Sequence, residues 1–135
     1  MKTKLLIYIF LIGFVLNLIW EYLHYPLYND LSGIPSNLHL WQATFFDALS
    51  ILTTTLLISL KNSNLSWIKK SKTTDYILTI IIPLTITIIT EIINLNLGRW
   101  KYKSSMPTIF GLGLSPLIQL PLTTTISLFL VRKIK

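Results

Sequence analysis

The sequence predicts an all-α fold, an integral membrane four-helix bundle with both termini cytoplasmic, on three observations. The 135 residues contain four long apolar stretches, at 5–23, 40–60, 76–97 and 109–131. Hydrophobic residues make up 52% of the chain and charged residues 13%, against roughly 25% charged in an ordinary soluble protein, which leaves too little polar surface for a water-soluble fold. The basic residues gather between the apolar stretches, in unequal numbers on alternating sides, as they do around membrane spans.

The first stretch follows a basic start at Lys2 and Lys4 and resembles a secretory signal in outline. It runs on into Trp20, Glu21 and Tyr22 without a small-residue cleavage pattern, so a retained span is expected. Each of the four stretches is near the ~20 residues a helix needs to cross ~30 Å of hydrocarbon. The Ile and Thr content of the third and fourth would favour strands in water. Barrel strands, however, need only ~10 residues and alternate lipid-facing with lumen-facing side chains, a pattern absent here. Helices satisfy their own backbone groups in lipid, so four helices in one domain, 1–135, is the reading.

Lys2, Lys4, Lys61, Lys69, Lys70, Lys72, Arg132, Lys133 and Lys135 fall on one side of the spans, against Arg99, Lys101 and Lys103 on the other. The richer side belongs in the cytoplasm, which makes a multi-pass protein of the cell membrane whose loops from His24 to His39 and from Gly98 to Thr108 face outward. Trp20, Tyr22, Tyr25, Trp41, Trp100 and Tyr102 cluster near the outer boundary, and Trp67 marks the inner one, as amphipathic rings do at membrane interfaces. The net charge of +7 is explained by this arrangement, so no nucleic acid is expected as a partner. With no cysteine, disulfides, thiolate metal sites and redox relays are excluded.

Shifting the chain by 70 residues lays Glu21 on Glu91, Asn17 on Thr87, His24 on Asn94, and Thr53, Thr54 and Thr55 on Thr123, Thr124 and Thr125. A duplicated helix hairpin would do this. So would chance matching in a chain so rich in Ile, Leu and Thr.

The informative residues are those that ought not to be in lipid. Asn17, Glu21 and His24 stand at i, i+4 and i+7, as do Thr87, Glu91 and Asn94, so each trio shares a helix face. Asp47, Ser50 and Thr54 line the second helix and Ser115, Gln119 and Thr123 the fourth. A charge at mid-bilayer costs at least ~2.5 kcal/mol on insertion scales, so three carboxylates within spans should face one another rather than lipid. Glu91 lies six residues before the end of its span, about 9 Å deep, beyond the reach of its own side chain to water. Pairing with Arg99 or carriage of a proton would account for it. Glu21, His24, Asp47, Glu91 and Arg99 all map to the outer half, so the polar site is expected to open outward.

Plainer readings stand beside these. Glu21 and His24 also suit an interfacial helix end, Asp47 a solvated outer turn, Glu91 with Arg99 a structural ion pair, and Gln119 helix-to-helix hydrogen bonding. His24 and His39 have no metal-ligand spacing, and although a site built from His24, Glu21, Asp47 and Glu91 fits in composition, its signal is weak and no metal ligand is assigned. The two glycines and the proline of Gly111-Leu112-Gly113-Leu114-Ser115-Pro116 predict irregular or re-entrant first turns for the fourth helix, lining a cavity or packing closely.

The pattern Gly98-Arg99-Trp100-x-Tyr102, Met106-Pro107 and Gly113-Leu114-Ser115-Pro116-Leu117-x-Gln119-Leu120, with Trp20-Glu21 and Asp47, resembles a group of small, uncharacterised prokaryotic four-helix membrane proteins. More loosely, residues 91 to 130 resemble the repeated domain of membrane lycopene cyclases. That resemblance implies an acidic residue, a Gly-x-Trp-aromatic turn and a helix with paired acids acting on a carotenoid end group. Here the helix carries Ser115 to Gln119 in place of the acids, and a glutamine cannot give up a proton as a carboxylic acid does.

The candidate catalytic residues are therefore Glu91, Asp47 and Glu21, with Arg99, His24, Trp100, Tyr102 and Gln119 as candidate substrate-binding residues. The expected function is an intramembrane enzyme with carboxylic acid and base chemistry acting on a lipid-like or isoprenoid substrate. A non-catalytic membrane subunit and a proton-coupled small-molecule carrier are the alternatives. Membrane lipids, and for an enzyme a hydrophobic small-molecule substrate, are the expected partners. Four short helices leave room for a homo-oligomer, and no motif specifies a cofactor.

Overall fold

The computed structural model describes residues 2–29 and 36–134. Met1, Lys135 and the middle of the first outer loop, 30–35, lie outside the described residues. Four helices carry the fold: α1 Lys2–His24, α2 Ser36–Lys61, α3 Thr73–Asn96 and α4 Leu114–Lys133. All four are long and apolar enough to cross a membrane. The shortest, with 20 residues, still reaches ~30 Å. Each of α1 and α3 packs against both α2 and α4, so α1 and α3 stand on a diagonal.

The burial pattern is that of a soluble protein turned inside out. Ile7, Leu11, Val15 and Ile19 of α1 and Ile77, Ile81, Ile89 and Ile93 of α3 are exposed, while Asn17, Glu21, His24, Thr87, Glu91 and Asn94 are buried. In water this would waste apolar surface and desolvate polar groups; in a bilayer, lipid covers the isoleucines and the helices hold the polar groups among themselves. On α1 the buried positions are Ile9, Gly13, Asn17, Glu21 and His24, and on α3 Thr79, Pro83, Thr87, Glu91 and Asn94 lie on the same face 70 residues later, with Asp75 buried in addition at the start of α3. The second and fourth helices do not keep that register, since Ala48 is buried and Ile118 is turned outward.

At the end bearing the termini the core is apolar, built on Ile9, Ile51, Ile58, Trp67, Ile68, Leu128 and Val131. Trp67 lies at this end in the short turn Leu65–Ile68, where it is buried and its indole N–H donates to Ser59 Oγ at 2.9 Å. Asp75 at the start of α3 is fully buried. It accepts from Lys61 Nζ and Asn62 Nδ2, each at 2.8 Å, and from the Lys72 backbone N–H at 2.9 Å, which fastens α2 to α3.

The fourth span starts later than the hydropathy suggests. Residues 108–113 form a hairpin, β1 Thr108–Ile109 paired antiparallel with β2 Leu112–Gly113. Its two central residues, Phe110 and Gly111, both have positive φ, the geometry of a two-residue turn that matches strand twist. The expected irregular backbone is thus a hairpin preceding α4, and Pro116 falls in the helix's first turn, where no backbone donor is missed.

Candidate functional site

At the end opposite the termini, one amide gathers the polar residues of three helices. Gln119 Nε2, on α4, lies 2.8 Å from Glu21 Oε1 on α1, 2.8 Å from Asp47 Oδ2 on α2 and 3.1 Å from Asn17 Oδ1 on α1. A primary amide has two protons to donate, so three acceptors share two hydrogens, and the two carboxyl oxygens can be no farther apart than their two bonds allow. Thr123, one turn along α4, donates to Asn17 Oδ1 at 3.1 Å, and Asn17 in turn donates to the Gly13 carbonyl at 2.8 Å. Gly13 lets α1 come close to α2: a Cβ there would meet Ile51 Cδ1 at 2.9 Å, so that side-chain end would have to shift.

The network continues toward the outer rim. His24 Nε2 lies 3.2 Å from Glu21 Oε2 and His24 Nδ1 2.8 Å from Ser115 Oγ. Because the carboxylate accepts, the imidazole proton belongs on Nε2, leaving Nδ1 to accept from the Ser115 hydroxyl. The indole of Trp20 donates to the same Ser115 oxygen at 3.2 Å. A continuous chain therefore runs from indole to hydroxyl to imidazole to carboxyl. Apart from Trp20, Asp47 and Ser115, which are partly exposed, these groups are buried, with Glu21 8% and Gln119 4% exposed.

Glu91 is held separately, by the turn that ends its own helix. Gly98 takes positive φ past the end of α3, the Gly98 N–H bonds to the Leu95 carbonyl at 3.1 Å and the Arg99 N–H to the Asn94 carbonyl at 3.0 Å. This glycine-terminated reversal sends the chain back so that Trp100 Nε1 donates to Glu91 at 3.4 Å and the Tyr102 hydroxyl donates to the same oxygen. The expected Arg99–Glu91 ion pair does not form. Arg99 is exposed and bonds Asn94 Oδ1 at 3.2 Å, because the reversal points it away from the bundle while the two aromatics turn inward.

Aromatic rings join the two halves. Tyr28 packs edge-on against His24, centroids 5.2 Å apart, and against Tyr102, 5.4 Å apart. The backbones of the two outer loops meet here, with Asn29 N–H bonded to the Lys101 carbonyl at 2.8 Å and Lys103 N–H to the Leu27 carbonyl at 2.9 Å. Gly113 makes room for this contact, since a Cβ on it would come within 3.0 Å of Tyr102 Cζ. Burial, and next the nearby Glu91, push the Tyr28 hydroxyl well above the usual phenol range, and burial with the hydrogen bond to Glu91 does the same for Tyr102, so both remain proton donors.

No family model, curated protein or solved structure matches this chain.

Of the candidate residues, Glu21, Asp47, His24 and Gln119 meet in one cluster, and Glu91, Trp100 and Tyr102 in a second that abuts it through Tyr28, while Arg99 stands outside both. The two paired loops meet at this end of the bundle, and two surface cavities of about 190 and 260 Å³ elsewhere are lined by neither carboxyl residue of the cluster. Among the described residues no group of three or more His, Asp or Glu is placed to hold a metal ion. Tyr28 carried no signal in the sequence, since only the pairing of two distant loops gives it a role. Ser115 and Asn17 did carry one, in their helical spacing from Gln119 and Glu21.

Proposed function

We propose that this multi-pass membrane protein is an intramembrane enzyme that moves protons with the Glu21–Asp47 pair on a lipid-like or isoprenoid substrate. One observation carries the reading: carboxyl groups from two helices converge on the single Gln119 amide, with His24 bonded to one of them. Carboxyl groups gathered on one amide inside a bundle are placed to hand a proton to a reacting group, which is the task of a general acid. The Ser115–His24–Glu21 chain supplies a route by which the pair recovers that proton, and Glu91 with Tyr102 forms a second donor set beside it. Arg99, exposed at the rim and bonded through one nitrogen to Asn94, has its other donors to offer a charged group of the substrate.

The test compares membrane lipid extracts from cells lacking the protein and cells carrying the wild type, Glu21→Gln or Asp47→Asn, with the amount of assembled protein measured in each. The wild type is expected to yield a new apolar product that either variant lowers by roughly 100-fold or more, the usual weight of a positioned acid or base. Identical extracts would return the chain to a non-catalytic subunit whose polar stripes join helices.

A second reading, a proton-coupled carrier, has one observation in its favour. Thr124 Oγ1 and Ser127 Oγ on α4 are buried without a hydrogen-bond partner, one to two turns inward of Gln119, and extend the polar line toward the other face. A carrier leaves no new product, and acidification-driven uptake into vesicles would reveal it.

A further inference from the structure

At the end bearing the termini, far from the carboxyl cluster, a groove of about 190 Å³ opens on the surface between α3 and α4. Its walls are apolar along most of their length, formed by Trp67, Tyr76, Thr125, Ile126 and Phe129, and its mouth is closed on one side by Arg132. From Thr125 to Arg132 the groove follows α4 for some 10 Å at the helical rise. Arg132 is held over this mouth: its guanidinium donates to the Tyr76 hydroxyl at 2.9 Å, which uses one of five donors, and no other partner is placed on it among the described residues. Lys133 lies 4.4 Å above the Phe129 ring, the wall of the same groove, through a cation–π contact.

The electrostatics of this end are one-sided. Nine lysines and arginines cluster here in the sequence against a single acid, Asp75, and that acid is buried and bound by Lys61, Asn62 and the Lys72 backbone. No negative side chain competes for Arg132. A lipid-facing furrow in a bilayer is filled by an acyl chain, and what distinguishes one lipid from another there is the headgroup that meets the basic mouth.

We propose that this groove binds one anionic phospholipid of the adjacent leaflet, its acyl chain lying between α3 and α4 along Ile126 and Phe129 and its phosphate and charged headgroup at Arg132 and Lys133. The site is independent of the proton chemistry at the opposite end, and Arg132 belongs to no part of that machinery.

Purified protein in detergent is mixed with phosphatidylglycerol or with phosphatidylcholine of the same chain length, and the lipid-induced rise in melting temperature is titrated for each. The wild type should prefer phosphatidylglycerol by roughly fivefold or more in half-saturating concentration, the weight of one basic side chain beside an anionic lipid. Arg132→Gln should bring the two lipids to within about twofold, Arg132→Lys should retain most of the preference, and Tyr76→Phe, which frees the guanidinium without removing it, should reduce it partly. Lys4→Gln removes an equal charge from α1 and should leave the preference intact. Equal response of the wild type to both lipids overturns the proposal, as does a Lys4→Gln loss as large as that of Arg132→Gln, which would mean diffuse charge attraction only. Because Tyr76→Phe and Lys4→Gln keep the fold, the comparison stands even where Arg132→Gln assembles poorly, and none of these outcomes bears on the lipid-extract test of the carboxyl pair.

Discussion

Gln119 is the residue on which the candidate site turns, and its contribution is that of a donor among acceptors. Replacing it with leucine keeps the volume but leaves Glu21, Asp47 and Asn17 without the amide that they share. Each buried acceptor left unpaired costs roughly 1 to 3 kcal/mol, so Gln119→Leu should lower the melting temperature in detergent markedly. Ile118→Ala, one residue away and turned to lipid, is the matched control and should change it little. A Gln119→Leu protein as stable as the wild type would mean that the two carboxyls find each other without help. The same residue shows why sequence reasoning stops short. Its position on a polar stripe with Ser115 and Thr123 was legible from spacing alone, but spacing within one helix says nothing about which carboxyls on other helices it will meet. Glu91 makes the converse point: its depth was legible, yet Arg99, the nearest cation in sequence, is carried away by the Gly98 reversal and aromatic donors take its place.

Among the elements, the four helices were legible because apolar length and basic flanks are properties of the chain itself, whereas the hairpin before α4 was not. Thr108 to Gly113 is apolar enough to extend a span by hydropathy, and only the positive φ of Phe110 and Gly111 makes it a turn. A bulky residue in the left-handed region costs on the order of 1 kcal/mol relative to asparagine or glycine, and Phe110 recovers none of it by burial, being fully exposed. Phe110→Asn should therefore tighten the hairpin, read as slower proteolysis of the outer loop and a melting temperature equal to or slightly above that of the wild type. Faster proteolysis would mean that the phenyl ring is anchored in the lipid interface and holds the loop there. The duplication fares unevenly at this scale: the buried faces of α1 and α3 coincide at an offset of 70 residues, and those of α2 and α4 do not.

For the whole molecule the claim is one of sidedness, since an even number of crossings puts Lys2 and Arg132 at the same end and Arg99, Lys101 and Lys103 at the other. The chain has no cysteine, so a single introduced thiol can be labelled without background. Lys101→Cys should react with a membrane-impermeant maleimide in intact cells and Lys69→Cys only after permeabilisation; the reverse result would invert the topology and move the carboxyl cluster to the inner half. The two outer loops, stitched together from Leu27 to Asn29 and from Lys101 to Lys103, tie the exits of the diagonal helices α1 and α3 into a single strap. The strap couples the ends of α1 and α3 to each other, so the two halves of the bundle cannot spread there without breaking those backbone bonds.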